Sequence, residues 1–173
     1  MPFSFLQKLY TMYPRINLTG VSWYPPILAF SVVNRSDGTK KDTLINIEKV
    51  PEFVINIVSV DLLRAMECSA KPLPYGEDEA LIKGIRLIPS EKVKAYRVAD
   101  AKISFECTLE CIVRINEGAN AGNLILGRVQ LLHVRDDLLK IGREVDWSKL
   151  DALGRLSGNR YCTVRSIIES ETN

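Results

Sequence analysis

Long apolar runs are missing from this 173-residue chain. No stretch approaches the roughly 18 consecutive apolar residues that a membrane-spanning helix needs, so no membrane partner is expected. The start, Met1-Pro2-Phe3-Ser4, has neither the basic residues nor the apolar core of a signal peptide, and the expected location is the cytoplasm. Charge of one sign is also scarce. Lys and Arg number 23 against 21 Asp and Glu, for a net charge of +2, and the densest basic cluster is Lys40-Lys41. That balance argues against a nucleic-acid partner. There is one histidine, His133, and none of the four cysteines forms a Cys-x-x-Cys pair, which leaves too few ligands for a zinc site. One histidine also supplies no convincing Ser-His-Asp set, and His133 reads as a satisfied strand residue. Gly-x-Gly-x-x-Gly and Walker-type loops are absent, as are repeats and low-complexity tracts.

What the chain does have is 46% apolar and 25% charged residues, the make-up of one globular domain over residues 1–173. Its strongest pattern runs from Lys102 to Ile115. Ile103, Phe105, Cys107, Leu109, Cys111, Val113 and Ile115 take the odd positions, and the even ones are polar except Ile112. That period of two predicts a half-buried antiparallel strand. Cys107 and Cys111, four apart, are expected on the same face, as small core residues. A turn over Glu117–Gly122 leads to a second long strand, about Asn123–Arg135, with Gly127 marking a bulge or a close backbone approach. Earlier strands are expected at Ile27–Val33 and Glu52–Ser59. Short helices are expected at Asp42–Lys49 (capped by Thr39 or Asp42), Asp61–Glu67 (capped by Asp61), Glu77–Lys83 and Asp146–Leu153 (capped by Asp146). Without a βαβα alternation the class is mainly β with short helices, a barrel or sandwich.

One stretch suits an anion. Ser31 ends a strand, and a polar loop with Asn34, Arg35, Gly38, Lys40 and Lys41 leads into the helix at Asp42-Thr43. Backbone N–H groups at a helix start and nearby cations make a phosphate seat. Arg35 is placed to clamp a phosphate in bidentate fashion, Lys41 to add a point charge, and Thr43 to donate a hydroxyl hydrogen bond. A solvated turn capped by Asp42 explains the same residues.

Several blocks, in order, carry a resemblance. They are Val21-Ser22-Trp23-Tyr24-Pro25-Pro26 running into Phe30-Ser31, then Arg35, Lys41-Asp42-Thr43 with Asn46-Ile47, and Glu52-Phe53-Val54-Ile55-Asn56. Leu126-Gly127-Arg128-Val129 follows, and then Gly154-Arg155-Leu156-Ser157-Gly158-Asn159-Arg160-Tyr161. Over residues 21–164 the chain resembles the flavin reductase-like family, which includes flavoredoxin-type proteins and the reductase components of two-component monooxygenases. The resemblance implies an FMN-binding split β-barrel. Relative to the family it is N-terminally truncated, with Met1-Pro2-Phe3-Ser4-Phe5 matching the end of a family segment and Lys8–Leu18 as extra sequence that could replace a strand. It also implies FMN at a homodimer interface, with Ser31, Arg35, Lys41, Asp42 and Thr43 near the phosphate or ribityl chain. Ser4 and Ser22 would lie near the ring or ribityl chain, and Tyr161 and Arg155 would close over the site. The implied activity is an NAD(P)H-dependent flavin reductase, with NADH or NADPH as hydride donor and an oxygenase or other acceptor downstream. A flavin-binding electron carrier and a cofactor-free form of the fold are the alternatives.

Overall fold

The computed structural model describes residues 10–11, 18–69, 84–142, 144–156, 158–168 and 170. The expected helix at Glu77–Lys83 and the candidate Ser4 lie outside them. Among the described residues there are ten strands: β1 (Tyr10–Thr11), β2 (Thr19–Trp23), β3 (Pro26–Val33), β4 (Glu52–Asn56), β5 (Leu87–Ile88), β6 (Arg97–Val98), β7 (Ile103–Arg114), β8 (Gly122–Val134), β9 (Leu153–Arg155) and β10 (Tyr161–Thr163). Among the described residues three short α-helices join them: α1 (Asp42–Lys49), α2 (Leu63–Ser69) and α3 (Trp147–Leu150).

Six strands form one sheet in the order β1-β4-β7-β8-β3-β2. Tyr10–Thr11 pairs parallel with Val54–Ile55, and the other pairs are antiparallel. Within the segment Lys8–Leu18, Tyr10–Thr11 thus supplies a short strand. The sheet curls until β3 and β4, separated in it by β7 and β8, face each other across the core. The rings of Phe30 and Phe53 meet edge to face with centroids 5.5 Å apart. Leu44 and Ile47 of α1 fill the space between them, with Ile55, Cys107 and Ile125. Burying such side chains stabilises the fold by about 1.5–3 kcal/mol each. Because β3 and β4 are antiparallel, the loop after β3 and the start of β4 lie at one end of the barrel, bridged by α1. The end of β4 lies at the opposite end.

The long β7–β8 hairpin matches its expected limits to within a residue or two, but its faces do not follow simple alternation. The register slips between Glu106 and Cys107 and again between Leu109 and Cys111. Each bulge adds a residue and reverses which side chains point inward. Cys107 is therefore fully buried while Cys111 is exposed, correcting the expectation that they share a face. Past the second bulge Ile112, the odd apolar residue in the polar set, packs on the core. Gly127 is a close approach: a Cβ there would stand 2.5 Å from Cζ of Phe53.

The caps also differ in part. Lys41, not Thr39 or Asp42, is the N-cap of α1 and makes no side-chain capping bond. Asp42 is the first helical residue, and its carboxylate is taken by Arg35. Asp61 sits within a 3₁₀ turn, Val60–Leu62, that precedes α2, and its carboxylate accepts from Ser59 Oγ. Asp146 does cap α3, accepting from the Lys149 N–H. That helix stops after Leu150 because Asp151 turns left-handed, with φ at 49°. The chain then forms the β9–β10 hairpin instead of the expected helical continuation to Leu153.

Candidate functional site

The loop leaving β3 closes on itself. The Arg35 N–H donates to Thr39 O and the Gly38 N–H to Arg35 O, and Gly38 takes a φ of 85° that suits glycine. Asp37 accepts from both the N–H and the hydroxyl of Thr39, which holds its carboxyl below the usual range. The β7–β8 turn buttresses this loop. The Asn34 N–H donates to Ala121 O, and the Asn34 side chain donates to Gly118 O.

Arg35 turns back onto the helix start. One guanidinium nitrogen donates to Lys40 O and another to Asp42 Oδ1 at 2.8 Å. The expected clamp on an outside phosphate is, in this structure, a clasp across the loop. Its effect is to neutralise Asp42 and hold the loop against the first turn of α1. That turn has no side-chain cap, so its N–H groups lack an acceptor from the capping residue. Thr43 lies in the same turn, and Lys41 immediately precedes it. On the body of α1, Asn46 is almost wholly buried and its Oδ1 has no hydrogen-bond partner among the described residues.

The structure brings Ser31, Arg35, Lys41, Asp42 and Thr43 to one end of the barrel. It does not bring Ser22 there. Ser22 pairs with Ile27 while Ser31 pairs with Leu124, so the two serines stand about 13 Å apart along β3. Ser22 adjoins the β2–β3 turn, where Trp23 and Tyr24 are 97% and 96% exposed. Tyr161 lies on the tail hairpin, packed with Val58, Leu62 and Met66.

The opposite end holds a cleft of about 510 Å³ that sequence reasoning missed, apart from Arg155. Phe30, Ile55, Ile57, Val58 and Leu153 supply its apolar walls, with Asn56 and Arg155 as polar members. Its parts meet because the tail adds to the chain beyond β4: the Leu153 N–H donates to Val58 O, and Ala152 bridges to Ser59. Local sequence patterns carry no sign of a contact between positions so far apart.

A polar cluster lies beneath the segment after β5. Glu106 is fully buried and its carboxylate accepts from the N–H groups of Glu91 (2.9 Å), Lys92 (2.6 Å) and Val93 (3.2 Å), and from His133 Nε2 (2.5 Å). Burial pushes this carboxyl up, but the Glu91 N–H, His133 and the Lys92 N–H together outweigh it and hold it below the glutamate range. His133 is thus a satisfied strand residue. Burial, with Glu106 next to it, pushes the Cys107 thiol up to about 12, which disfavours its thiolate form. Among the described residues no helix is long and apolar enough to cross a membrane, and no group of His, Cys, Asp or Glu is placed to hold a metal ion.

Comparison with known proteins fits this geometry. Residues 17–147 match the family model described as flavin reductase like domain. An uncharacterised protein of Halalkalibacterium halodurans is 36% identical over 139 residues, covering 79% of this chain and 66% of the relative, so the chain spans about two thirds of that protein's length. The crystal structure of nitrilotriacetate monooxygenase component B from Bacillus cereus superposes with a TM-score of 0.82 at 31% identity, covering 91% of this chain and 77% of that one. Flavoredoxin of Desulfovibrio vulgaris shares the fold, with a TM-score of 0.72 at 20% identity over 89% of this chain and 78% of its own. The architecture is the split barrel of these proteins, mainly β with a few short helices.

Proposed function

This chain belongs to the flavin reductase like domain family, and from that membership we propose that it is a flavin-dependent oxidoreductase that holds FMN by its phosphate on the loop from Ser31 to Thr43. The observation that carries the reading is the pairing of Arg35 with Asp42 beside an uncapped helix start. An unpaired carboxylate in the first turn would repel a phosphate. Neutralised by Arg35, it leaves the first-turn N–H groups and the Thr43 hydroxyl to favour one, with Lys41 alongside. The residues present therefore fit the phosphate of a mononucleotide.

Bound flavin supplies the hydride-accepting ring, and the protein supplies binding and orientation. Ser31, on the exposed face at the end of β3, is placed to meet the ribityl chain. NADH or NADPH is the proposed hydride donor, and reduced flavin or its electrons pass to an oxygenase or other acceptor. A homodimer is part of the same proposal. Beyond the second bulge Cys111, Val113, Leu124 and Leu126 share the face opposite the core, and Val113 is 44% exposed. Val33 and Ile115 stand exposed at the same end. An apolar outer face of this kind favours self-association.

The test is the absorbance spectrum of the purified protein, followed by NADH and NADPH oxidation with added FMN or FAD. Retained flavin colour and turnover above background are expected. Absence of turnover with both flavins and both nucleotides would remove the reductase reading, and retained colour without turnover would point to an electron carrier.

A further inference from the structure

Between β5 and β6 the chain crosses the outer face of the sheet. Phe53 and Ile55 of β4 point into the core, so Glu52 and Val54 point outward, and Glu106 of β7 pairs directly with Val54. Residues 89–96 lie over them. Four consecutive amides meet two carboxylates there. The Glu91, Lys92 and Val93 N–H groups donate to Glu106, and the Lys94 N–H donates to Glu52 Oε2 at 2.8 Å. Among the described residues no backbone–backbone hydrogen bond ties 89–96 to the sheet.

The attachment is thus mostly polar. Its apolar part is Val93 and Ala95 against Val54, small side chains beside the aromatic and aliphatic set that holds the barrel. Segments with few buried apolar contacts are those that open at the lowest free energy. The two ends of 89–96 are already joined, because Ile88 pairs with Arg97 and Leu87 with Val98. Leu87 and Val98 also pack with Val58 and Met66, which fixes that junction. The segment is a closed loop that can lift without moving its ends. Its main acceptor stays behind, since Glu106 is fully buried and is also held by His133 Nε2 from β8.

We propose that residues 89–96 form a strap that lifts from β4 and β7 as one unit while the barrel stays folded, with the Glu106 and Glu52 carboxylates as its latch. Three consecutive amides on one carboxylate favour release together, because the backbone between them gives none a separate path away from the shared acceptor. Charge-assisted bonds of this kind are the strong ones, so the latch and not the small apolar contact decides how often the strap opens. Lifting uncovers Val54, which is fully buried when the strap is closed. The device does not rest on the flavin reading and involves none of the residues proposed to hold FMN.

The experiment is amide hydrogen exchange, read by NMR on the intact chain at several low concentrations of guanidinium chloride. The expected result is one common opening for the Glu91, Lys92, Val93 and Lys94 amides. It should come well before exchange of the β7–β8 ladder and depend little on denaturant, since lifting exposes little surface. Exchange of the strap only together with the ladder overturns the proposal without any variant, and so do four unrelated opening constants. Glu52→Gln touches the Lys94 amide alone, yet should speed exchange at Glu91, Lys92 and Val93 as well, by about fivefold. An effect confined to Lys94 shows that the segment is no unit. Glu106→Gln should speed all four amides by about tenfold or more beyond any change in the ladder. Equal acceleration of strap and ladder makes Glu106 a support of the whole fold and not a latch.

Discussion

Phe53 occupies the space that a side chain on Gly127 would need. The ring of Phe53, on β4, lies over the backbone of β8 so closely that an added Cβ would be 2.5 Å from Cζ and 3.0 Å from Cε2. Both atoms belong to a fully buried ring that also meets Phe30. Gly127→Ala should therefore destabilise the fold by about 1–3 kcal/mol through overpacking. Phe53→Leu alone should also destabilise, by loss of buried volume. Combined, the two changes should cost less than their sum, because the smaller side chain vacates the space that alanine needs. Chemical denaturation of the four proteins measures this, and strict additivity would contradict the packing described.

Acid should weaken the protein through Glu106. In the unfolded chain this carboxyl titrates near its ordinary value of about 4.3. In the fold, hydrogen bonds hold it lower despite burial. Its contribution to stability is thus full above the ordinary value and is lost as pH falls through the depressed one. Glu106→Gln should cost about 1–3 kcal/mol at neutral pH by leaving backbone N–H groups poorly matched, and should flatten the decline in stability on the acid side of pH 4. Melting curves from pH 7 to pH 3 on both proteins test the point.

Removing Arg35 and Lys41 together should weaken FMN binding by roughly 10–100-fold, the value of one or two charged contacts. Riboflavin, which has no phosphate, should lose much less. The clasp adds a finer expectation. Arg35→Ala leaves the Asp42 carboxylate without the guanidinium that pairs with it. Adding Asp42→Asn should then recover part of the lost FMN affinity. Fluorescence titration of the single and double variants measures the recovery. Equal losses for FMN and riboflavin would place the phosphate elsewhere.

The outer face of the β7–β8 hairpin should be where two copies meet. Val113→Lys with Leu124→Lys alters neighbours in register on that face and should shift the protein from dimer to monomer in light scattering, with little change in its circular dichroism. A dimer that persists would place the interface on another surface.

Much of this fold was legible because its evidence is local. The alternation from Ile103 onward, the turn at Gly118 and the apolar run into Val33 each specify a strand without reference to the rest of the chain. The bulges were not legible. A single extra residue near Glu110 leaves composition untouched while reversing Cys111 relative to Cys107. Asp42 failed as a cap for a similar reason, since its carboxylate was claimed by Arg35, seven residues back. The loop proposed to hold a phosphate could be picked out because its residues are consecutive. The cleft could not, because Phe30 and Arg155 come to line it together only after the sheet has curled and the tail has returned to Val58.

The bulge between Leu109 and Cys111 makes spacing, more than residue type, the inherited property of β7. Glu110 itself contributes an exposed ion pair with Arg128 and tolerates replacement on that account. Its deletion would be another matter. The half of the strand beyond it would rotate by one position, with Ile112 sent to solvent and Cys111 and Val113 driven into the core. Related chains should therefore vary freely in the letter at this position and hardly at all in the number of residues between Cys107 and Ile112.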